Sequence, residues 1–506
     1  MLNFVRKGVS KLNDLLNSPL NETAYNLKWL ELELSDWIIS QERKMQIKGF
    51  EYYKDKQDIL KYKRMAIGQD GELEEVKNLP NKIITDNQYK RLVNQKVNHL
   101  VGKPFTVDTK NKEYSNILNT YFNKKFFKLL KTVTKDSNNG GIGYLYPYYS
   151  DEGILKFKIF KPYEVKVYWK DDDHTEIDFF WRFYRKAVRY TGGSVDYVDH
   201  LELYTKDGIR YFIYKGGVLL YDKLKGEITH SYIKFTNSLG SEVVEEQYLN
   251  FDRIPLIPFK ISDYEEPLLR RVKSLQDGIN TITTVFTNNM LEDSRNTILI
   301  IMNYDGENLG EFRRNLSTYG AVKVRNTNEE KGGVDTLQIE VNAENYKAIL
   351  EIFKKAIIQN GGGVDVTELR ASGTPNQMNI QSMYYDIELD TNDTEIEFQM
   401  AMEQLKWFID FDINLKTNKN FFDIRVDFIF NRDMLQDETG IIDNLVKLKG
   451  IISDEDIIKQ LPFGNAETLI DNIKKQREEQ KQEAVNDYAN VFVSNPQIKS
   501  NESGDE

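Results

Sequence analysis

The sequence predicts an α+β chain that is predominantly helical. Up to about residue 260, helix-like and strand-like segments alternate; from Leu268 to Met290 apolar residues recur at an almost strict three-four spacing; and the stretch from about Gln377 to Leu415, like most of the chain beyond residue 433, reads as helix. At 506 residues the chain is too long for one small core, so two or more domains are expected. Its 40% apolar and 12% aromatic content indicates folded structure.

At the N-terminus, "MLNFVRKGVSKLNDLLNSPL" is not a signal peptide, because Asn13 and Asp14 interrupt any apolar core. Val5, Val9, Leu12 and Leu16 fall at helical spacing and predict a packed amphipathic helix. In "ITDNQYKRLVNQKVNHLVGKPF", Tyr89, Leu92, Val93, Val97, Leu100 and Val101 make one apolar helical face, with Asp86 as the expected cap and Gly102 and Pro104 as the stop. A second helix is expected over roughly Lys112 to Lys135. After "NNGGIGYLYPYY", the segments "ILKFKIFKPYEVKVYW", "IDFFWRFYRKAVRY", "HLELYT" and "RYFIYKGGVLLY" predict strands.

The stripe Leu268, Val272, Leu275, Ile279, Ile282, Phe286 and Met290 predicts a long helix from Glu265 that demands a helical partner. A compact α/β insert follows, with strands "TILIIMNY", "AVKVR" and "DTLQIE" around the helix "GENLGEFRRNLSTYG". Helix returns at Ala343, with Asn342 as cap and Tyr346, Ile349, Leu350, Phe353 and Ile357 on one face. Next comes "GGGVDVTELRASGTPNQ", rich in glycine and small polar residues. The long helix from Gln377 carries "DIELDTNDTEIE", which predicts a kink or unwinding near Thr391 to Thr394. "NFFDIRVDFIF" alternates as a strand, and a helical, acidic end closes the chain.

No cysteine is present, which excludes disulfides and thiolate metal sites and suits a reducing cytosol. No run approaches the roughly 20 apolar residues that span a bilayer, so a soluble protein without a membrane partner is expected. The net charge is −11, and Asp433 to Glu506 holds 16 Asp or Glu against 8 Lys or Arg. Such a balance argues against tight, general nucleic-acid binding, which depends on Lys and Arg displacing counterions. There is no Walker-type Gly-x-x-x-x-Gly-Lys, no Gly-x-Ser-x-Gly elbow, and the four histidines His99, His174, His200 and His230 form no His-x-x-x-His pair. The carboxylates Asp386, Glu388, Asp390, Asp393, Glu395 and Glu397 are the one candidate for catalysis, as ligands of Mg²⁺ in a nuclease; a solvated helix face or cavity wall is the alternative.

In order and spacing, these parts resemble the portal proteins of tailed double-stranded DNA bacteriophages. The resemblance rests on "NQKVNHLVGKPFTV", "GGIGYLYPYY" with "FKIFKPYEVKVYW", "RIPLIPFKIS" running into "LLRRVKSLQDGINTITTVFTNNMLED", "LGEFRRNLSTYGAVKV", and "GGVDV" with "ASG", over about residues 80 to 430. It implies a non-enzymatic, cofactor-free ring of about a dozen subunits, assembled in the host cytoplasm and set at one capsid vertex of the virion. Through it the genome would be packaged and ejected. The implied partners are double-stranded DNA, the terminase large subunit, head-completion or neck proteins, and the major capsid and scaffolding proteins. The implied regions are a wing (1–264), stem helices (265–293 and 342–360), a clip (294–341), a tunnel loop (361–376), a long kinked helix with a strand returning to the wing (377–432), and a crown (433–506).

On that resemblance, Gly361, Gly362, Gly363, Val364, Asp365, Glu368, Arg370, Ser372, Gly373 and Thr374 form a compliant, nearly neutral collar facing DNA. The family often continues into small residues and a lysine, whereas Thr374, Pro375, Asn376 and Gln377 stand here. Arg313, Arg314, Lys323 and Arg325 are candidate motor-docking residues of the clip; a solvated face fits them equally. Leu268, Val272, Leu275, Ile279, Ile282, Phe286, Ile349 and Phe353 are expected to pack the stem, leaving Ile352 and Ile358 for a neighbouring subunit. The rival readings are the Mg²⁺ nuclease above and a scaffolding or neck component that binds proteins only.

Overall fold

The computed structural model describes residues 27–493 apart from 68–70, 77–78, 190–192, 240–241, 294–296, 303–307, 320–323, 326–331, 339–342, 366–376, 433–437, 450–452 and 461–465. The helix expected around Val5 to Leu16 and the cap Asn342 therefore lie outside the described residues. Two compact units emerge: residues 1–364 with 386–433, and residues 365–385 with 434–506.

In the first unit, helices α1 (Leu27–Ile39) and α2 (Gln41–Tyr53) precede a small hairpin, β1 (Met65–Ile67) and β2 (Leu73–Glu75). Helix α3 (Gln88–Val101) starts one residue later than expected, because Asn87 rather than Asp86 accepts the Lys90 amide, at 2.9 Å. After β3 (Thr106–Asp108) come α4 (Lys112–Tyr121) and α5 (Lys124–Gly140). These replace the single helix expected over 112–135. The break is Asn123, whose side chain caps the amides of Lys125 and Phe126.

The strands β4 (Ile142–Tyr149), β5 (Leu155–Phe160), β6 (Val165–Trp169), β7 (Ile177–Arg189), β8 (Val195–Thr205), β9 (Gly208–Lys215), β10 (Val218–Tyr221), β11 (Ile233–Leu239), β12 (Glu242–Leu249) and β13 (Ile257–Lys260) build three antiparallel sheets, ordered β13-β4-β5, β10-β9-β8-β7-β6 and β11-β12. Both faces of the five-stranded sheet are covered. Phe179, Trp181 and Phe183 alternate onto Leu30, Leu34 and Trp37 of α1, while Phe180 and Tyr204 turn into the main core. The edge strand β10 is blunted, since Glu31 Oε1 accepts the Leu219 amide at 2.9 Å.

The stem pair is α6 (Leu269–Asp293) and α8 (Ala343–Asn360), with β14 (Thr297–Met302), α7 (Leu309–Tyr319) and β15 (Gly333–Gln338) between them. Phe286 meets Tyr346 with ring centroids 4.8 Å apart, and a Cβ on Gly278 would lie 2.7 Å from the Phe353 ring, so the two helices run antiparallel in close contact. The expected helical partner is thus found. Leu268, Val272 and Ile279 are buried, and Leu275, Ile282, Phe286 and Phe353 are half-buried. Two residues depart from expectation: Ile349 is 41% exposed, and Ile358 packs on the core rather than facing outward, unlike Ile352 at 63%.

The most buried stripe of α6 is polar. Gln276, Asn280, Thr284 and Asn288, each four residues apart, are at most 3% exposed and face the segment 82–87 and the first turn of α3. Asn288 Oδ1 accepts the Lys82 amide at 2.7 Å, and its Nδ2 donates to the Lys82 carbonyl at 3.1 Å. Thr284 repeats the exchange with Ile84, Asn280 accepts from Asp86, and Gln276 donates to the Asp86 carbonyl and accepts from the Tyr89 amide. The match is geometric: two residues of extended chain advance about 6.6 Å and four of helix about 6 Å. The side-chain ladder therefore does for this segment what a neighbouring strand does in a sheet.

Helix α9 (Gln377–Thr417) continues through Thr391–Thr394, so the expected unwinding is absent; Thr394 Oγ1 donates instead to the Ile261 carbonyl at 2.9 Å. Beyond it, β16 (Asp427–Ile429) pairs with β3. In the second unit, α10 (Glu438–Lys447), α11 (Asp454–Lys459) and α12 (Ala466–Val493) follow, with Ser453 capping α11 and Lys474 pairing with Glu455 at 3.0 Å. No helix among the described residues is long and apolar enough to cross a membrane.

Asn280→Ala removes the acceptor of the part-buried Asp86 amide and a partner of Gln57. It is expected to cost about 2–4 kcal/mol, measured by denaturant unfolding, and to speed deuterium exchange in the peptide spanning residues 80–90.

Candidate functional site

The glycine run ends α8. The Gly363 amide donates to the Ile358 carbonyl at 2.9 Å and the Gly362 amide to the Gln359 carbonyl at 3.2 Å, while Gly362 takes φ +60°. That is a Schellman closure, which satisfies the last helical carbonyls and needs a left-handed residue at one position. The other two glycines serve closeness. A Cβ on Gly361 would sit 2.2 Å from Leu92 Cδ2, and one on Gly363 would sit 2.6 Å from Leu92 Cδ1, with Leu92 itself buried. Gln95 Nε2 then donates to the Val364 carbonyl at 3.0 Å, and Val364 is 4% exposed. Gly361 to Val364 are therefore a turn clamped on α3, which corrects the expectation that these glycines supply compliance.

Beneath the turn lies an ion cluster with a buried lysine, a half-buried carboxylate and an exposed arginine. Lys96, on the otherwise apolar face of α3, is 7% exposed and donates to the Asp390 carboxylate and to the Gly361 carbonyl. Arg271 Nη1, in the first turn of α6, binds the other Asp390 oxygen at 2.6 Å. One carboxylate thus joins α3, α6, α9 and the end of α8. Burial pushes the Asp390 carboxyl up, and Lys96 and Arg271 more than offset this, holding it below its ordinary value of 3.8.

A second cluster is adjacent in sequence. Arg432 binds Glu388 and Glu395 and donates to Asn392 Oδ1 at 2.7 Å, and His99 Nε2 lies 2.9 Å from Glu388 Oε1. Of the acidic tract, Asp390, Glu388 and Glu395 answer cations of the same fold, and Asp386 and Asp393 are exposed. For Glu397, burial and a hydrogen bond with Asp263 raise the pKa. Among the described residues no three His, Asp or Glu side chains are arranged to hold a metal ion. The tract is a structural charge network, and the nuclease reading is not favoured.

Of the other expected site residues, Arg314 and Arg325 are exposed and Arg313 lies on α7. Lys323, Glu368, Arg370, Ser372, Gly373 and Thr374 lie outside the described residues. The polar ladder and the cations Lys96, Arg271 and Arg432 were missed by sequence reasoning. Two signals mark them: a lysine among Leu92, Val93, Val97 and Leu100, and four amide or hydroxyl residues at spacing four beside an apolar stripe.

The sequence profile of the family described as "Phage portal protein, SPP1 Gp6-like" matches residues 38–483, and the chain belongs to that family. It is 27% identical over 422 residues to the portal protein of Bacillus phage SPP1, covering 82% of this chain and 80% of that protein. It is 24% identical over 459 residues to the portal protein of Clostridium phage phiCD119, covering 86% and 93% respectively. A solved structure, the virion of a native gene transfer agent particle, matches with a TM-score of 0.37 at 12% identity, over 74% of this chain and 89% of that one. The chain is a virion component with a phage portal function, in a family that is structural rather than catalytic.

Two predictions follow from the clamp and the junction beneath it. Gly361→Ala is expected to cost about 1–3 kcal/mol by overpacking, and Leu92→Ala in the same chain should return part of that loss, a coupling read from a double-mutant cycle. Asp390→Ala leaves Lys96 buried and unpaired and is expected to cost about 3–5 kcal/mol near neutral pH. Because the folded-state pKa of Asp390 is depressed, its contribution is present above pH 3.8 and lost as pH falls through the lower folded value. The stability gap between wild type and Asp390→Ala should therefore narrow in acid denaturation series.

Proposed function

We propose that this portal protein acts as a closed ring of about a dozen copies, a conduit through which double-stranded DNA enters and leaves the head. The observation that carries the reading is the antiparallel pair α6 and α8, which leaves Met290, Leu291, Ile349 and Ile352 between 40% and 63% exposed. A neighbouring copy covers this apolar strip when each subunit presents one surface to a different surface of the next and the rotation closes. Residues 294–341 form the clip, where Arg313, Arg314, Lys323 and Arg325 dock the terminase large subunit during packaging and head-completion proteins afterwards. The wing (1–264 with the 427–429 strand) meets the capsid and scaffolding proteins, and 433–506 form the crown inside the head. Assembly takes place in the host cytoplasm.

The clamp at Gly361–Val364 supports a loop in two parts, a fixed base and a DNA-facing tip from Asp365 to Thr374. Duplex DNA carries about one charge per 1.7 Å, and a non-specific contact of about 10⁻⁵ M corresponds to about 7 kcal/mol. Repeated around a ring, such a grip would stall translocation. A tip with Arg370 as its one base, opposed by Asp365 and Glu368, keeps each contact transient.

Negative-stain electron microscopy of the purified chain tests the ring; compact monomers at high concentration would count against it. In a packaging assay, Ser372→Arg with Thr374→Arg is expected to slow DNA uptake about tenfold, the effect of a barrier about 1.4 kcal/mol higher. An undiminished rate of uptake would sink the low-grip reading.

A further inference from the structure

Helix α5 carries a lysine face between Lys124 and Lys135 that the proposed function leaves unassigned. Lys124, Lys128, Lys131 and Lys135 fall within about 60° of one another on the helix, with Lys125 on the flank. Lys124, Lys125 and Lys128 are exposed and the other two half-exposed, and none makes an ion pair among the described residues. No Asp or Glu occurs between Glu113 and Asp136. On a chain of net charge −11, this face is the exception.

The arrangement works against the helix that carries it. Lysines at spacing three and four repel one another, and Lys124 and Lys125 sit in the first turn, at the positive end of the helix dipole, where no acidic residue offsets them. A face of this kind persists where something outside the chain neutralises it. Protein interfaces are poor in Lys and rich in aromatic and apolar anchors, yet among the described residues no large hydrophobic side chain is exposed between Leu73 and Ile154. Lysine, a mobile point charge, suits phosphate. The four in-line lysines span about 16 Å of helix, a length over which duplex DNA presents on the order of ten phosphate charges.

We infer that this lysine face of α5 is a second, non-specific contact for double-stranded DNA, separate from the channel. It binds the phosphate backbone of duplex lying against the subunit's surface and reads no sequence. The inference does not depend on the loop reading, because it rests on the α5 lysines alone.

The test uses the full chain and relaxed, covalently closed circular duplex, which cannot thread a preassembled ring. Its binding is measured across a salt series for wild type, a Lys124→Gln/Lys128→Gln/Lys131→Gln variant, and a Lys124→Glu/Lys128→Glu variant. The triple variant should bind at least tenfold more weakly, with a log affinity against log salt slope shallower by about 2.7, from 0.9 for each lost phosphate contact. The Glu variant should lose binding while its thermal unfolding midpoint holds or rises, because the substitutions relieve repulsion and favour the dipole. Equal affinity and slope in all three proteins would overturn the proposal, as would binding of linear but not circular duplex. Loss of binding accompanied by a lowered midpoint or by loss of self-association in sedimentation would assign the lysines to the fold or to contacts between copies, and would overturn it too.

Discussion

The fold of the larger unit turns on one half-buried carboxylate. Asp390 is the point at which α3, α6, α9 and the end of α8 meet, through Lys96, Arg271 and the Gly361 carbonyl. Taking a lysine out of water is costly, and only an opposite charge with correct geometry offsets the cost. The cluster therefore tolerates few alternative arrangements of the four elements. Hydrophobic contacts such as Gly361 on Leu92 press the same elements together but specify their register less sharply, since apolar surfaces can slide before they lose much area. Charge fixes the junction, and packing fills it.

The stem helix α6 combines two kinds of adhesion. Toward α8 it offers Gly278 and Phe286, which meet Phe353 and Tyr346, a surface that can repack. Toward residues 82–89 it offers hydrogen-bond partners at matched spacing, a surface that cannot slip by less than a full repeat without leaving several part-buried amides unpaired. A displacement of α6 along its axis therefore carries the 82–89 segment, and with it the start of α3, while α8 is freer to adjust. Lys354 of α8 reaches Asp86 at 2.8 Å, so even that freedom is tethered at one point.

Much of this was legible in the sequence, and what was not has physical reasons. The three-four stripe announced α6 and demanded α8, because an apolar helical face has to be covered by something. Asn123 was overlooked as a cap, since the apolar pattern continues across it and only the backbone shows the break between α4 and α5. The glycines at 361 to 363 were legible as glycines but not as a clamp. A glycine kept for freedom and one kept for closeness look the same until Leu92, some 270 residues earlier in the chain, is seen beside it. The acidic tract was ambiguous for the same reason: its cations lie 294, 119 and about 40 residues away.

The clamp and the cluster together bear on how a load is carried. A force on the segment that follows Val364 is resisted first by the Gln95 contact and by Gly363 on Leu92, both on α3. Whatever is passed on reaches the Gly361 carbonyl, which Lys96 holds, and through Asp390 it reaches Arg271 at the foot of α6. The path is made of short polar contacts, with Lys96 buried and Arg271 at the surface. Tension at the glycine turn is therefore borne by helices of the main core rather than by the turn's own backbone, whose glycines offer little resistance alone. The turn is in this way anchored where it leaves α8.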